Sequence, residues 1–513
     1  MHHGDLTRRH ARRTPRKPAV IDRDRIISYA ELDHRTERLA WALREAGAGP
    51  GERVLLLADN GFVPHEVMIA CARIGAIYVP VDFRLTAAEV GSVVADCEPK
   101  VVIVGHRHLP LMTSVRPAAG SVTGWFVVGG PADGFTSYEA AIATQSDRDP
   151  GDWQTTGSDL FCILYTSGTT GRAKGVQITY AATLHNGLAL AQAYGVDADT
   201  RFLMSLPYSA TGVVNHSGGP TLMMGGTVVF DEVRNFDATR YFTTVQRHRV
   251  THSQLVPTMM YRLLDAPNRT EFDLTSLRTV GYGSAPIPAH RVRSLTEAFG
   301  PVFVQAYGMT ETCSLATILT HGEHDVVGSP REHILASCGR AVGEVELAIV
   351  NDTGDEVAPG EVGEVVIRAP WITTGYWRNE AQTRELLQAG WLHTGDLGRL
   401  DGEDFLYIVD RKRDTVITGG SKVFCPEVEA AIYAMEGVAE VAVIGLPDAE
   451  WGERVHAVVV VRPGARISEE QIIRHCAREL SKYKCPKTVA FLPELPKTST
   501  GKFAKPALRR QFG

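Results

Sequence analysis

Residues 165–176 are Tyr165-Thr166-Ser167-Gly168-Thr169-Thr170-Gly171-Arg172-Ala173-Lys174-Gly175-Val176, and they directly follow the apolar run Leu160-Phe161-Cys162-Ile163-Leu164. The apolar run predicts a buried strand. The glycines let the backbone aim successive N–H groups at one point, while the hydroxyls and Lys174 add donors for an anion with several oxygens. This pattern predicts a polyphosphate-binding loop, although a Gly/Thr-rich loop after a strand can also be a plain turn.

The spacing of this loop differs from that of a Walker A motif. No Gly-Lys-Ser or Gly-Lys-Thr follows a first glycine at the required distance. The P-loop folds are therefore not implied, and a different nucleotide-binding fold is expected.

Length and composition limit the classes of protein that the chain can form. With 513 residues, of which 44% are hydrophobic and 22% charged, it is long enough for a large globular domain plus a smaller one. Its net charge of −6 creates no general basic field, so we expect no nucleic-acid partner. Its eight cysteines form no C-x-x-C pair, which argues against a zinc site or disulfide framework and favours a reducing cytoplasm. No apolar stretch approaches the roughly 20 residues of a membrane span.

The first part of the chain alternates strand and helix patterns. Strands are predicted at 54–57, 77–81 and 101–104, with one helix through 67–74 and another that begins after Thr86 as its N-cap. This order predicts a parallel, doubly wound sheet. Residues 105–158 have only weak patterns, and no chemistry is evident there.

A second strand–helix series follows the phosphate loop. Helices are predicted at 179–194 and 238–248, and strands at 202–205, 227–230, 251–256, 277–282 and 302–305. Polar or glycine-containing segments follow three of these strands, at Ser209, Gly283 and Ala306. Ligands bind at the carboxyl ends of the strands in open α/β sheets, so these segments are candidate binding sites.

The sequence pattern changes again beyond about residue 345. Short β-branched runs separated by turn residues predict a small antiparallel barrel at about 340–409. Residues 410–513 form a last unit, with strands at 441–445 and 455–461 and helices at 426–435 and 468–480. We therefore expect an α/β protein with a large N-terminal domain (1–409) and a small α+β C-terminal domain (410–513).

The loop at 165–176 resembles the signature of the adenylate-forming superfamily, which includes acyl-CoA synthetases, peptide-synthetase adenylation domains and luciferases. Further stretches along the whole chain resemble motifs of this superfamily in the same order. The resemblance implies that the small C-terminal domain is mobile and that ATP is bound. It also implies that the basic segment 8–18 belongs to a first helix with its arginines in solvent, rather than to a transit peptide or an anionic-surface contact. The loop residues implied to bind ATP are Thr166, Ser167, Gly168, Thr169, Thr170, Gly171 and Lys174.

The stretch Gln305-Ala306-Tyr307-Gly308-Met309-Thr310-Glu311 resembles a second motif of the superfamily. The resemblance implies that Tyr307 stacks on adenine, with Gly308 beside it, and that the Thr310 hydroxyl contacts the α-phosphate. It also implies that Glu311 helps to hold Mg²⁺, a cation for which a carboxylate is a suitable ligand.

Other motifs complete the implied nucleotide site. Gly283, Ser284 and Ala285 resemble the segment that lines the other face of adenine, and Asp396 in Thr394-Gly395-Asp396 matches the residue that accepts hydrogen bonds from the ribose. Arg411 matches a second ribose contact. The hinge position is Arg413, where the superfamily more often has Lys or Asp, and Lys422 matches a loop that lines the thiol tunnel.

Lys502 belongs to the segment Pro496-Lys497-Thr498-Ser499-Thr500-Gly501-Lys502, which resembles the final motif of the superfamily. A lysine near the end of a chain can be only a solvated residue. The resemblance implies instead that Lys502 reaches the carboxylate and the α-phosphate. A cation there offsets the repulsion between two anions that must react. We therefore expect Lys502, Thr310 and Glu311 to be catalytic.

The segment Tyr208-Ser209-Ala210 occupies the position where many acyl-CoA synthetases have an aromatic-His pair and amino-acid-activating domains have an Asp. Without that Asp, an α-amino acid would leave its ammonium group unpaired. We predict that Tyr208, Ser209 and Ala210 line the acyl pocket and that the small side chains admit a larger or ring-shaped acid.

The resemblance implies an AMP-forming acid–thiol ligase that uses ATP, Mg²⁺ and coenzyme A on a small carboxylic acid. In the second step the small domain turns about residues 410–414 and a thiol replaces AMP. A ligase that loads a phosphopantetheine carrier protein is an open alternative. A luciferase-type oxidase, which would add O₂ to the adenylate, is not excluded by the motifs. A non-catalytic adenylate-binding protein would be expected to lack Lys502 or Glu311, and both are present. The acid, the thiol and the oligomeric state stay open.

Overall fold

A computed structural model describes residues 2–146, 155–166, 173–209, 215–231, 236–284, 287–497 and 503–513. The chain folds into two compact units. Unit 1 consists of Met1–Glu346 and Ile367–Leu392, and unit 2 of Leu347–Val366 and His393–Gly513. The predicted domain boundary at 409/410 remains a prediction.

The strands of the described residues are numbered in chain order. They are β1 (Pro18–Asp22), β2 (Arg25–Ser28), β3 (Arg53–Leu57), β4 (Ile77–Pro80), β5 (Val101–Gly105), β6 (Gly124–Val128), β7 (Thr136–Ser137), β8 (Leu160–Thr166), β9 (Lys174–Thr179), β10 (Arg201–Met204), β11 (Thr227–Phe230), β12 (His252–Leu255), β13 (Thr279–Gly283), β14 (Phe303–Tyr307), β15 (Thr317–Leu319), β16 (Arg340–Ala341), β17 (Glu346–Val350), β18 (Gly363–Arg368), β19 (Leu387–Gln388), β20 (Trp391–Leu400), β21 (Leu406–Arg411), β22 (Val416–Thr418), β23 (Ser421–Val423), β24 (Val438–Asp448), β25 (Gly452–Val461) and β26 (Thr488–Phe491).

The α-helices of the described residues are numbered in the same way. They are α1 (His3–Arg13), α2 (Tyr29–Glu45), α3 (Val63–Ile74), α4 (Ala87–Cys97), α5 (Leu109–Val115), α6 (Tyr138–Ala143), α7 (Tyr180–Tyr194), α8 (Gly218–Met223), α9 (Ala238–His248), α10 (Pro257–Leu264), α11 (Ala289–Phe299), α12 (His321–His324), α13 (Glu380–Leu386), α14 (Cys425–Tyr433), α15 (Glu469–Glu479) and α16 (Lys505–Phe512).

The larger sheet of unit 1 has the strand order β16-β15-β14-β13-β12-β10-β11-β1-β2. Neighbouring strands from β14 to β1 are parallel, and antiparallel strands lie only at the two edges. Strands β11 and β12 are buried along their whole length, as expected for parallel strands covered on both faces. The carboxyl ends of β10, β12, β13 and β14 therefore share one edge of the sheet.

The second sheet of unit 1 has the order β7-β6-β5-β3-β4-β8-β9. All of its neighbouring strands are parallel except β8 and β9. Leu55, Val79 and Val102 of its central strands pack in one core with Val90 of α4 and Met112 of α5. Helix α4 begins as predicted, because the Thr86 side chain accepts a hydrogen bond from the Glu89 N–H in a capping box.

Unit 2 contains a smaller sheet of order β23-β22-β25-β24, with β26 parallel to β25. Alternate residues of β24 point to opposite faces. Val441 and Val443 pack in one core with Val428 of α14 and Ile472 of α15. On the other face, Ala442, Ile444 and Leu446 pack with Leu508 of α16. Helices therefore cover both faces of this sheet.

The first helix forms as expected. Leu6 and Thr7 of α1 are buried, whereas Arg9, Arg12 and Arg13 are exposed to solvent. In the parts of the chain that the structure describes, no helix combines the length and apolarity needed to cross a bilayer.

The predicted fold class, an α/β protein with a large N-terminal sheet domain and a smaller C-terminal α/β domain, is confirmed. One local expectation is corrected: residues 165–176 are not all loop. Strand β8 continues to Thr166 and β9 begins at Lys174, because Gly175, Val176 and Ile178 are buried when the two strands pair. The weakly patterned part after residue 105 contains α5, β6, β7 and α6.

Candidate active site

Two of the predicted nucleotide-binding segments lie side by side in unit 1. Gly283 ends β13, Ala306 lies opposite it on β14, and Tyr307 is the next residue. A Cβ atom at position 283 would lie 2.4 Å from the carbonyl oxygen of Ala306, so only glycine permits this close approach. Ser284 has a φ of 69°, a left-handed conformation that turns the chain away from the strand. Ala285 lies outside the described residues.

The segment after Tyr307 is a tight turn that fixes Glu311. Gly308 lies so close to the Ser314 carbonyl oxygen that a Cβ would be 2.3 Å from it. The Thr312 hydroxyl accepts a hydrogen bond from the Met309 N–H (2.9 Å), and residues Thr310–Thr312 form a 3₁₀ helix. This turn holds Glu311 next to the carboxyl end of β14. Glu311 is buried, with 6% of the residue's surface exposed.

Glu311 has a partner that the sequence patterns did not indicate. The Tyr376 hydroxyl donates a hydrogen bond to Oε1 of Glu311 (2.8 Å), and both side chains are buried. Burial and the neighbouring carboxylate raise the pKa of Tyr376 above its ordinary value, so the hydroxyl remains a donor at neutral pH. No motif or periodicity marks Tyr376, although its aromatic ring beside Gly375 and Trp377 is an unusual local cluster.

The predicted phosphate loop connects the paired strands β8 and β9. Thr166 and Lys174 lie opposite each other in the antiparallel register. The Tyr165 hydroxyl donates to the Asp96 carboxylate, which anchors the end of β8. The loop residues between the strands, Ser167, Gly168, Thr169, Thr170 and Gly171, lie outside the described residues.

The predicted acyl-pocket segment follows β10. The Tyr208 hydroxyl lies 2.9 Å from the Leu56 carbonyl oxygen and 3.0 Å from that of Val81, and it accepts a hydrogen bond from the Ala58 N–H (3.1 Å). Tyr208 therefore attaches this segment to the carboxyl ends of β3 and β4. The Ser209 hydroxyl is buried and has no hydrogen-bond partner among the described residues. Ala210 lies outside them.

A buried polar network links the end of α7, strand β12 and the residues before α8. The Tyr194 hydroxyl lies 3.0 Å from both His216 Nε2 and Gln254 Oε1, and His216 Nδ1 lies 3.2 Å from the Ser314 hydroxyl. Burial lowers the pKa of His216 to about 4, so the imidazole is neutral at physiological pH. These residues were not identified from the sequence, because each is a single polar residue in an otherwise ordinary helix, strand or turn.

In unit 2, the structure brings Asp396 and Arg411 together. They pair across the antiparallel strands β20 and β21, and Arg411 Nε lies 3.2 Å from Oδ1 of Asp396. Asp410, next in the chain to Arg411, accepts hydrogen bonds from the backbone N–H groups of Arg411 (2.7 Å) and Cys425 (2.9 Å). Burial raises the pKa of Asp410.

The other residues of unit 2 that the sequence predicts for the site are Arg413, Lys422 and Lys502. Gly419 and Gly420, both with positive φ, form the two-residue turn between β22 and β23, as expected for a tight hairpin. Lys422 on β23 is exposed and lies 3.5 Å from Asp352. Burial and the adjacent Arg411 lower the pKa of Arg413. Lys502 lies outside the described residues, although Lys497 and Phe503 on either side of that segment form an antiparallel bridge.

Comparison with known families agrees with this arrangement. The family model described as AMP-binding enzyme matches residues 7–377, and the model described as AMP-binding enzyme C-terminal domain matches residues 427–502. The chain belongs to the AMP-binding enzyme family. The predicted membership of the adenylate-forming superfamily is thereby confirmed.

Individual members of this family resemble the chain over its full length. Indoleacetate–CoA ligase of Aromatoleum aromaticum is 35% identical over 98% of this chain and 96% of its own length. Fatty acid–[acyl-carrier-protein] ligase ScoC of Streptomyces coeruleorubidus is 32% identical over 100% and 98%. The crystal structure of ATP-bound MatB from Rhodopseudomonas palustris superposes with a TM-score of 0.89 at 31% identity, covering 100% of this chain and 99% of that one.

An AMP-binding enzyme of this kind is expected to use Mg²⁺ with ATP, and the donor set of unit 1 fits that ion. Glu311 supplies a carboxylate whose orientation is fixed by the Tyr376 hydroxyl. Oxygen donors of this kind, together with phosphate oxygens, are the ligands that Mg²⁺ prefers. In the described residues no cluster of three or more His, Cys, Asp or Glu side chains forms a metal site from protein groups alone. The roles of the individual site residues remain predictions.

Proposed function

We propose that this protein activates a small carboxylic acid with ATP and transfers the acyl group to the thiol of coenzyme A. In the first step a carboxylate oxygen bonds to the α-phosphorus of ATP, the bond from that phosphorus to the bridging oxygen breaks, and pyrophosphate leaves. In the second step the thiol sulfur bonds to the carbonyl carbon, the thiol gives its proton to solvent, and AMP leaves. The products are the acyl thioester, AMP and pyrophosphate.

The observation that carries this proposal is the convergence of predicted nucleotide-binding segments in unit 1. Gly283 and Ser284 lie beside Ala306 and Tyr307 at adjacent strand ends. A planar base lying against these strand ends would have the glycine backbone of one segment and the aromatic ring of Tyr307 from the other as its contacts. Such strand ends are the usual ligand position in open α/β sheets.

The phosphate groups would be bound by the loop between β8 and β9 and by the Thr310 hydroxyl. We assign Thr166 to Gly171 and Lys174 to the phosphates, and Glu311 to the bound Mg²⁺. When bound, Mg²⁺ would neutralise charge on the phosphates. We assign Asp396 and Arg411 to the ribose, because a carboxylate with one oxygen near a guanidinium can still accept hydrogen bonds from a diol.

We assign Lys502 to the first step. Attack of an anionic carboxylate on the α-phosphate brings negative charges together, and a lysine ammonium group lowers that electrostatic cost. No protein nucleophile is required, because positioning and charge neutralisation account for the chemistry.

For the acyl group, we propose a ring-containing acid with at least one polar atom. The buried Ser209 hydroxyl has no hydrogen-bond partner among the described residues. Buried polar groups favour ligands that complete their hydrogen bonds. Resemblance to an enzyme named for indoleacetate supports this choice.

A second candidate function uses a different thiol. Resemblance to ScoC, which is named as an acyl-carrier-protein ligase, favours transfer to a phosphopantetheine arm on a partner protein. Both functions share the first step and differ only in the acceptor.

The test is a measurement of pyrophosphate release by the purified protein with ATP, Mg²⁺ and a panel of acids. The panel contains indole-3-acetate, ferulate, benzoate, octanoate and acetate, each with and without coenzyme A. We expect release of pyrophosphate with a ring-containing acid and formation of its CoA thioester, identified by mass spectrometry. Adenylate formation without any CoA thioester, followed by loading of a phosphopantetheinylated carrier protein, would favour the second function. Absence of acid-dependent pyrophosphate release with every acid would contradict both.

A further inference from the structure

Residues 373–377, called here the 373–377 segment, run along the edge of β9. The Gln177 N–H donates to the Gly375 carbonyl oxygen (3.0 Å), and the Trp377 N–H donates to that of Gly175 (2.7 Å). Val176 and Tyr376 form an antiparallel bridge between these two hydrogen bonds. The segment therefore adds one short strand to the hairpin that carries Lys174.

The same segment also holds the turn that carries Glu311. The Thr373 N–H donates to the Glu311 carbonyl oxygen (2.7 Å), which fixes the main chain of that residue. The Tyr376 hydroxyl donates to the Glu311 carboxylate (2.8 Å), which fixes its side chain. The Tyr376 main chain is itself held, because its N–H donates to the Thr383 hydroxyl (2.9 Å).

The ring of Tyr376 makes a second contact. The ammonium nitrogen of Lys174 lies 5.0 Å from the centre of this ring, within the range of a cation–π interaction. One side chain thus contacts both Lys174, at the start of β9, and Glu311, in the 3₁₀ helix Thr310–Thr312, which are distant in the sequence.

We propose that Tyr376 is a positioning residue for the metal–nucleotide complex: its hydroxyl orients the Glu311 carboxylate and its ring orients the Lys174 ammonium group. The proposal rests on the proposed function, in which Glu311 contacts the cation and Lys174 contacts the phosphates. Partners that orient a metal-binding carboxylate contribute about 10- to 100-fold to metal affinity. A single exposed cation–π contact contributes about two- to fivefold to an equilibrium constant.

Two substitutions separate the two contacts. Tyr376→Phe removes the hydrogen bond to Glu311 and keeps the ring, whereas Tyr376→Leu removes both. The matched control is Tyr138→Phe. Tyr138 is also buried and donates to a buried carboxylate at the same distance (2.8 Å, to Glu66 Oε2), but Glu66 pairs with Arg35 and belongs to no predicted site.

The first measurement is the affinity for Mn²⁺ of the protein saturated with the non-hydrolysable analogue α,β-methylene-ATP. The EPR signal of free Mn²⁺ reports how much of the ion is bound. Tyr376→Phe should raise the Kd for Mn²⁺ by about 10- to 100-fold. Tyr138→Phe should leave this Kd within about twofold of wild type, while lowering the melting temperature at least as much as Tyr376→Phe.

The second measurement is binding of a fluorescent ATP derivative in EDTA. Without the cation, Tyr376→Phe should bind it with wild-type affinity, because the ring beside Lys174 is retained. Tyr376→Leu should bind it about two- to fivefold more weakly. If Tyr376→Leu does not fold, the Kd of Tyr376→Phe for Mn²⁺ still tests whether the Tyr376 hydroxyl orients Glu311.

Equal Mn²⁺ affinity in wild type and Tyr376→Phe would overturn the proposal while leaving the proposed function intact. An equal loss of Mn²⁺ affinity in Tyr376→Phe and Tyr138→Phe would also overturn it, because the effect would then follow stability. Failure of the wild-type protein to bind the ATP analogue at all would overturn the proposal and the proposed function together.

Discussion

Arg411 and Asp396 form an ion pair across two antiparallel strands, with Arg411 Nε 3.2 Å from Asp396 Oδ1. The Asp396 side chain is only 12% exposed, whereas that of Arg411 is 44% exposed. The carboxylate is thus held in a fixed orientation by a guanidinium group that remains accessible. This geometry suits a carboxylate that must accept hydrogen bonds from the two hydroxyls of a ribose.

We expect Asp396→Asn to remove most of the discrimination between ATP and 2′,3′-dideoxy-ATP. Hydrogen bonds to a charged group contribute about 1.5–3 kcal/mol, which corresponds to about 10- to 150-fold in affinity. The measurement is the Kd of both nucleotides for the wild type and the variant. The matched control is Asp404→Asn at a nearby exposed turn, which should keep wild-type discrimination. Unchanged discrimination in Asp396→Asn would remove Asp396 from the ribose site.

We expect Lys502→Ala to abolish acid-dependent pyrophosphate release and to spare thioester formation from supplied acyl-AMP. The reason is that the ammonium group is needed only while two anions approach each other. Lys497→Ala is the control, because Lys497 lies in the same segment and pairs with Glu440 at the surface of the domain. Pyrophosphate release at the wild-type rate by Lys502→Ala would show that another cation serves the first step.

We expect Ser209→Phe to decrease kcat/KM selectively for large acids. Overpacking a filled site costs about 1–3 kcal/mol, or roughly 5- to 150-fold in kcat/KM, whereas acetate should be little affected. Ser209→Ala separates volume from hydrogen bonding, because it removes the hydroxyl without adding volume. It should weaken only acids that carry a polar atom to pair with that hydroxyl, without the dependence on acid size expected for Ser209→Phe. An equal decrease for indole-3-acetate and acetate in Ser209→Phe would mean that position 209 acts through the fold or the ATP site.

We expect the protein to lose stability as the pH falls from 6.5 toward 4. Burial lowers the pKa of His65, His216, His252 and His324 from 6.5 to about 4 in each case. Between these two pH values the unfolded chain binds protons that the folded chain does not. The stabilisation is therefore complete above the unfolded pKa and decreases by about 1.4 kcal/mol per pH unit for each such histidine below it.

The check is the melting temperature of wild type and His65→Gln between pH 7.5 and 5. The variant should have a smaller decrease over this range, since one titrating group is gone. His106→Gln, at an exposed position, should retain the wild-type decrease. Identical pH profiles for wild type and His65→Gln would contradict the assignment of His65 as a buried neutral group.

Local sequence patterns predicted much of the fold because the forces behind them are local. The Thr86 cap, the helix at residues 238–248 and the strand at 227–230 all occur as predicted, since capping, periodicity and β-branched runs act within a few residues. The hairpin of β8 and β9 was only half predicted. Pairing with β8 and with the 373–377 segment extends β9 to Lys174. The residues around position 174 do not by themselves indicate that they pair with either of these segments.

Prediction of the site residues has the same limit, because sequence motifs do not reveal contacts between distant segments. Gly283 and Tyr307 were identified from motifs, and the register of β13 and β14 brings their segments together. Tyr376 was not identified, because its importance depends on contacts with Glu311 and Lys174 that only the folded chain creates. A motif also does not indicate where a side chain points. Tyr208 was predicted to line the acyl pocket, and its hydroxyl contacts the carbonyl oxygens of Leu56 and Val81. Its role in the pocket stays a prediction.

In the proposed function, a carboxylate attacks the α-phosphorus of ATP. The most direct test is a reaction of the purified protein with ATP, Mg²⁺, coenzyme A and an acid from the panel labelled with ¹⁸O in both carboxylate oxygens. The AMP and pyrophosphate are then analysed by mass spectrometry. We expect each AMP to carry one ¹⁸O atom and pyrophosphate to carry none, because one carboxylate oxygen remains on the α-phosphorus when the thiol displaces AMP. Unlabelled AMP, or ADP and labelled phosphate as products, would contradict the proposed function.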